Sequence, residues 1–190
     1  MKKKILVIVG HPSKKSFAKT LAERYIKGAE KTGYLTKKLF LSEMEFDPVL
    51  HEGYNLHQKL EKDLIKAQKE IVWADHIVLF YPIWWGSPPS LLKGFIDRVF
   101  LPGFAFKYEN KKLKKLLSGK TASIIVTAGG NFFGYSIIGK IMIKPISIGT
   151  FSFCGIKCKK EIFLPGIRNL SKESIGRLIE KMETFGKKGI

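Results

Sequence analysis

Ile5-Leu-Val-Ile-Val-Gly-His-Pro-Ser-Lys-Lys-Ser-Phe17 decides the architecture. Ile5 to Val9 is a continuous, largely β-branched apolar run, the mark of a strand buried on both faces. Gly10 to Lys15 reads as a turn, and Ser16 is a good N-cap for a helix. Phe17, Leu21, Tyr25 and Ala29 then recur at helical spacing, and Gly33 closes the helix.

The same strand–loop–helix alternation continues along the chain. Tyr34 to Leu41 alternates as a second strand, and Met44-Glu-Phe-Asp-Pro48 breaks regular structure. A charged, periodic stretch from Tyr54 to Trp73 predicts a helix with Leu56, Leu60, Leu64 and Ile71 inward. His76 to Tyr81 is the third strand, and the helix that begins at Ser90 runs to Leu101, where Pro102-Gly103 stops it. Phe104-Ala-Phe-Lys-Tyr108 reads as an aromatic loop, and Lys111 to Lys115 as exposed and basic. Thr121 to Thr127 is the fourth strand, followed by a glycine-rich loop from Ala128 to Gly134. Ile137 to Ile148 predicts a helix that Pro145 must end or kink. Thr150 to Phe153 and Glu161 to Leu164 are expected to share a fifth strand interrupted around Gly155, and Ser171 caps a final helix reaching Phe185. Strands alternating with helices across short loops give an α/β fold: a parallel sheet with helices on both faces. Five strands suit the flavodoxin-like three-layer sandwich of strand order 2-1-3-4-5, with residues 1–190 as one domain.

Composition narrows the setting. The 190 residues are 45% hydrophobic, a globular proportion. No apolar run reaches the ~18 residues of a spanning helix, and Met1-Lys-Lys-Lys leads directly into a strand, so a cytoplasmic protein is expected. Cys154 and Cys158 are read as small core residues, and no metal-ligand spacing stands out. The net charge of +18 attracts polyanions, but the lysines are scattered and no nucleic-acid-binding pattern accompanies them, so a solvated basic surface is favoured. Asp97 and Arg98 read as an exposed ion pair.

In parallel sheets of this kind ligands lie beyond the carboxyl ends of the strands. Three unusual loops fall there: residues 10–17, 81–90 and 127–135. The first ends at a helix N-terminus, whose unpaired N–H groups and dipole accept phosphate, with Ser13, Ser16 and His11 beside it. The second, Tyr81-Pro-Ile-Trp-Trp-Gly-Ser-Pro-Pro-Ser90, offers indole faces to a planar ring; packing of Trp84 and Trp85 on a neighbouring loop or a partner subunit is the competing account. The third has glycines that let backbone N–H groups approach a ligand closely. Together these describe a flavin pocket. No G-x-G-x-x-G opens the first helix, which argues against a dinucleotide site of the classical NAD type. Gly134-Tyr-Ser-Ile-Ile-Gly-Lys-Ile141 has nearly the phosphate-loop spacing, but Ile141 stands where a magnesium-binding hydroxyl is needed.

Gly10-His-Pro-(x)3-Ser-Phe17, the long run from Pro82 to Phe100, Phe104 to Tyr108 and Thr127-Ala-Gly-Gly130 resemble the flavodoxin-like NAD(P)H:quinone oxidoreductases, over almost the whole chain. The resemblance implies a homodimer with one flavin per subunit near the interface, reduced by NAD(P)H and reoxidised by a quinone or similar acceptor in two-electron, ping-pong fashion. His11, Ser16 and Phe17 would hold phosphate in the loop that ends at Ala18. Pro82, Ile83, Trp84 and Trp85 would line the ring, and Thr127, Ala128, Gly129 and Gly130 its polar edge. Phe106, Tyr108 and Tyr135 would line the nicotinamide and quinone site, with Phe106 and Tyr108 reaching across the interface. Met44 to Pro48 resembles a segment of FAD-binding members and favours FAD over FMN.

Three departures from the family stand out. Ala18 occupies a position often held by Asn, and Phe106 one often held by Tyr. No histidine follows position 76, so Tyr135, the Gly129-Gly130 amides and Lys140 are expected to stand in for the family's histidine beside the reduced flavin. The resemblance also admits an ancillary subunit docking on a potassium-efflux antiporter or an anionic membrane face. A flavodoxin-type electron carrier is disfavoured by the basic surface.

Overall fold

The computed structural model describes residues 2–56, 58–130 and 135–190, with backbone only at 135–137. Five parallel strands, β1 (Lys4–Val9), β2 (Leu35–Phe40), β3 (His76–Pro82), β6 (Thr121–Thr127) and β7 (Lys157–Leu164), stand in the order β2-β1-β3-β6-β7. That is the 2-1-3-4-5 order expected from the alternation. Side chains of β1 alternate between two cores because successive residues point to opposite faces. Leu6 and Ile8 join the core under α2 (Lys62–Trp73), α3 (Ser90–Val99) and α4 (Tyr135–Ile146). Ile5, Val7 and Val9 join the one under α1 (Phe17–Lys31), which packs closely on α5 (Lys172–Lys188). Ser16 and Ser171 cap α1 and α5 with their hydroxyl oxygens.

Four expectations are corrected. The helix expected from Tyr54 begins only at Lys62, and Leu56 is 65% exposed. Side-chain bonds to the backbone hold the preceding segment as turns: Gln58 receives the His51 N–H and donates to the Val49 carbonyl, and Asp63 receives the Glu45 N–H. Arg98 is fully buried and bonds Glu61 and two backbone carbonyls, while Asp97 pairs with Lys93. The aromatic loop is a strand, β4 (Phe106–Glu109), paired antiparallel with β5 (Lys112–Lys115). Asn110 and Lys111 between them both take positive φ, as the two-residue hairpin turn requires. Residues 150–153 are helical rather than extended: Pro145 does not end its helix, which widens into a π-helix over Ser147–Ser152.

His76 begins the central strand β3, at the end of the strands opposite the three loops. It is buried, with Nδ1 2.8 Å from Thr121 Oγ1 and Nε2 unpartnered among the described residues. Burial, helped by the Lys3 charge, lowers its pKa to about 3. The unfolded chain therefore binds a proton below its ordinary pKa of about 6.5 that the folded chain refuses. Stability is fully present above that pH and falls by up to about 1.4 kcal/mol per unit on acidification. Urea melts at about pH 7 and about pH 5 check this, since the carboxylates titrate lower still. His76→Gln should shrink the difference to the part that His11 supplies; an unchanged slope removes His76 as a source.

Candidate functional site

At the carboxyl ends of the strands a cavity of about 370 Å³ opens, within the roughly 300–1,000 Å³ of small-molecule sites. Four loops meet there. From the first, His11, Phe17 and Ala18 line the cavity. The Ser16 hydroxyl takes the Lys19 N–H, leaving the N–H groups of Phe17 and Ala18 without partners among the described residues. Those two donors and the positive end of the α1 dipole could hold an anion. His11 Nδ1 accepts the Ser13 N–H, which leaves the ring proton on Nε2 as a donor. Burial lowers the His11 pKa, so the ring is neutral. Its edge meets Trp84 at 5.4 Å between centroids.

The second loop is a tight turn closed by reciprocal Trp84–Ser87 backbone bonds, both 2.9 Å. Trp85 and Gly86 sit at its centre with φ of +50° and +73°. For Gly86 that is free; for Trp85 it is a strained placement of a large side chain, of the kind that clusters at ligand sites. Trp85 is 102% exposed and Trp84 45%. With Pro82 and Ile83 they form one wall of the cavity.

The third loop owes its shape to its neighbours. The Thr127 carbonyl takes the Ile83 N–H, and the Ala128 and Gly130 carbonyls take the N–H groups of Ile167 and Gly166. The N–H groups of Gly129 and Gly130 have no partners among the described residues. Both glycines and Thr127 line the cavity; Ala128 is buried beneath it.

Ile167 and Arg168, from the fourth loop after β7, complete the lining. Neither was expected. The rule that ligands lie at the carboxyl ends applies to the fifth strand as well, and Pro165-Gly166 was its turn signal.

Other expected residues stand elsewhere. Ser16 lies in an adjoining depression with Lys14 and Lys15. Phe106 lines a separate cavity of about 430 Å³ with Phe100, Met142 and Phe153, while Tyr108 is exposed beside it. Gly86 and Ser87 line that second cavity, so the Trp84–Ser87 turn divides the two. The Tyr135 side chain and residues 131–134 lie outside the described residues. Met44 to Pro48 packs against α3, with Phe46 edge-on to Phe95, and does not line the rim cavity. Cys154 and Cys158 are free thiols, each pushed up to about 11 by burial.

A family model described as flavodoxin-like fold matches residues 3–185. A Haemophilus influenzae protein named an uncharacterized NAD(P)H oxidoreductase is 35% identical over 158 residues, covering 80% of this chain and 78% of that one. The chain belongs to the flavodoxin-like NAD(P)H oxidoreductase family. Another member, the ribosyldihydronicotinamide dehydrogenase [quinone] of Pongo abelii, is 30% identical over 180 residues, with 82% and 78% covered. The solved NAD(P)H:quinone oxidoreductase of Methanothermobacter marburgensis shares the fold at a TM-score of 0.83 over the full length of both chains, at 21% identity. The residues present fit the family's flavin: free amide donors at a helix start, aromatic rings along a wall, and glycine amides at the far end. Among the described residues no helix is long and apolar enough to cross a membrane.

Proposed function

We propose that the chain is a flavin-dependent NAD(P)H:quinone oxidoreductase, a single-domain cytoplasmic protein that works as a homodimer. The observation that carries this reading is the convergence on one cavity of the α1 N-terminus, the Trp84-Trp85 wall and the unpaired Gly129 and Gly130 amides. When bound, the flavin accepts a hydride from NAD(P)H and passes two electrons to a quinone or similar acceptor.

The protein's part is placement and charge. The Phe17 and Ala18 N–H groups, with Ser16 and the His11 Nε2–H, hold the phosphate. Pro82 to Trp85 flank the ring and keep water from one side of it. The N–H groups of Gly129 and Gly130 donate to its polar edge, where preorganised dipoles act without reorganising. Phe106 and Tyr108 on the β4–β5 hairpin close the ring pocket of the opposite subunit, which is why they stand apart from the rim cavity within one chain. The exposed Trp85, Ile138, Ile141 and Ile148 supply apolar surface for that contact. Tyr135 borders the nicotinamide and quinone site.

Purified protein should be yellow, bleach on addition of NADPH without oxygen, and regain colour on addition of a soluble quinone. Chromatography of the released flavin decides between FAD, favoured by the Met44 to Pro48 resemblance, and FMN. A colourless preparation that takes up neither nucleotide overturns the reading.

A further inference from the structure

We propose that Arg168 is the fixed positive charge of the flavin pocket, standing at the ring end of the site, where negative charge gathers on reduction. The inference rests on the flavin reading above. Four arginines occur in the chain. Arg24, Arg98 and Arg177 each pair with a glutamate: Glu183, Glu61 and Glu173. Arg168 alone has no ion pair or hydrogen bond among the described residues, yet it lines a built cavity. A free guanidinium in that position is a donor fork waiting for an anion.

Its placement selects which part of the flavin it meets. The short helix Ile167–Asn169 that carries it follows β7, the edge strand. Two backbone bonds tie this loop to the third one, Gly166 N–H to Gly130 O at 2.8 Å and Ile167 N–H to Ala128 O at 3.1 Å. The side chain then folds back across Gly129, with Nε 2.8 Å, Cδ 3.1 Å and Cγ 3.3 Å from where a Cβ on that glycine would stand. A Cβ on Gly129 would press against the Arg168 side chain. The phosphate donors sit at the end of β1, and β3 lies between β1 and β6. At about 4.8 Å per strand, the guanidinium over the end of β6 is roughly 10 Å along the rim from the phosphate donors. It stands beside the amides that face the ring's polar edge.

The chemistry needs such a charge. Hydride transfer breaks a carbon–hydrogen bond of the reduced nicotinamide and forms a nitrogen–hydrogen bond on the flavin. The electron pair moves with the hydrogen, so the nicotinamide becomes one unit more positive and the flavin one unit more negative. A guanidinium stays protonated at any working pH and holds that charge without accepting or donating a proton. His11 is neutral, and Lys140, expected from the sequence to share this task, is exposed on α4 and does not line the cavity.

The test compares flavin-loaded wild type with Arg168→Met and Arg168→Lys. In Arg168→Met the two-electron midpoint potential of the bound flavin should fall by at least ~30 mV, a tenfold loss in favour of the reduced form. Arg168→Lys should recover most of it. Thermal midpoints should match, because the side chain is exposed and has no partner among the described residues, and the affinities for riboflavin and FMN should change by the same factor. An unchanged potential in Arg168→Met overturns the proposal. So does a loss of FMN affinity with riboflavin affinity intact, which assigns Arg168 to the phosphate. Wild-type protein that binds neither riboflavin, FMN nor FAD sinks the flavin reading itself.

Discussion

Arg98→Met should lower the free energy of unfolding by about 2–4 kcal/mol, because a buried arginine's hydrogen bonds to two backbone carbonyls and a partly exposed glutamate are lost. Arg98 is 0% exposed, and its guanidinium gathers three chain segments. Nη1 donates to the Asp47 carbonyl at 2.5 Å; Nη2 donates to the Lys59 carbonyl at 3.0 Å and to Glu61 Oε2 at 2.9 Å. Methionine matches the aliphatic stem but supplies no donor, so two carbonyls and a carboxylate lose their partner. Glu61, a third exposed at its side chain, can rehydrate; the two backbone carbonyls still lose their donor. The double variant Arg98→Met/Glu61→Leu should therefore recover only part of the loss. Urea unfolding with the slope held in view measures both, and wild-type stability in Arg98→Met removes the arginine from its anchoring role. Tyr54, within the segment so anchored, lines the Phe106 cavity, so loosening there should also reshape that cavity.

The second large effect lies where α1 crosses α5. Gly28→Val and Gly186→Val should each cost about 3 kcal/mol or more, at or beyond the usual upper end for overpacking. A Cβ on Gly28 would overlap the Glu183 carbonyl, and one on Gly186 the Tyr25 carbonyl. Both obstacles are backbone, so no rotamer change relieves them; the helices must separate and uncover Ala22, Tyr25 and Met182. The two substitutions force apart one contact, and their double variant should cost less than the sum. Gly176 on the same helix is the control. Nothing lies within 4 Å of its Cβ position, so Gly176→Ala should stabilise by about 0.5–1 kcal/mol through helix propensity alone. Thermal melts of the four variants check the set, and a well-folded Gly28→Val would show that the helices are not in backbone contact.

Elements whose apolar pattern faces the core were legible in the sequence. Ile5 to Val9 is a buried strand because every residue in it is apolar, Thr121 to Thr127 because Ala122, Ile124, Ile125 and Val126 form its centre, and the Ser16 and Ser171 caps act as their residue types imply. Elements set by distant partners were misread. Tyr54 to Leu60 has helical spacing, but the carbonyls at Asp47 and Lys59 are claimed by an arginine far along the chain. Phe104 to Tyr108 reads as an aromatic loop, and Phe106–Glu109 becomes a strand only because Lys112–Lys115 folds back on it through a positive-φ turn. Three of the cavity's four loops were visible as peculiar sequence. The fourth was not, because Ile167 and Arg168 are ordinary residues that matter only through where β7 ends.

Alternating apolar runs and caps were enough to determine the doubly wound sheet and which rim of it carries the loops around the cavity, because burial and helix-end chemistry act over a few neighbouring residues. The tertiary structure alone decided which groups there are left without partners. An amide or a guanidinium is free or engaged according to what the fold sets against it, and no local pattern records that.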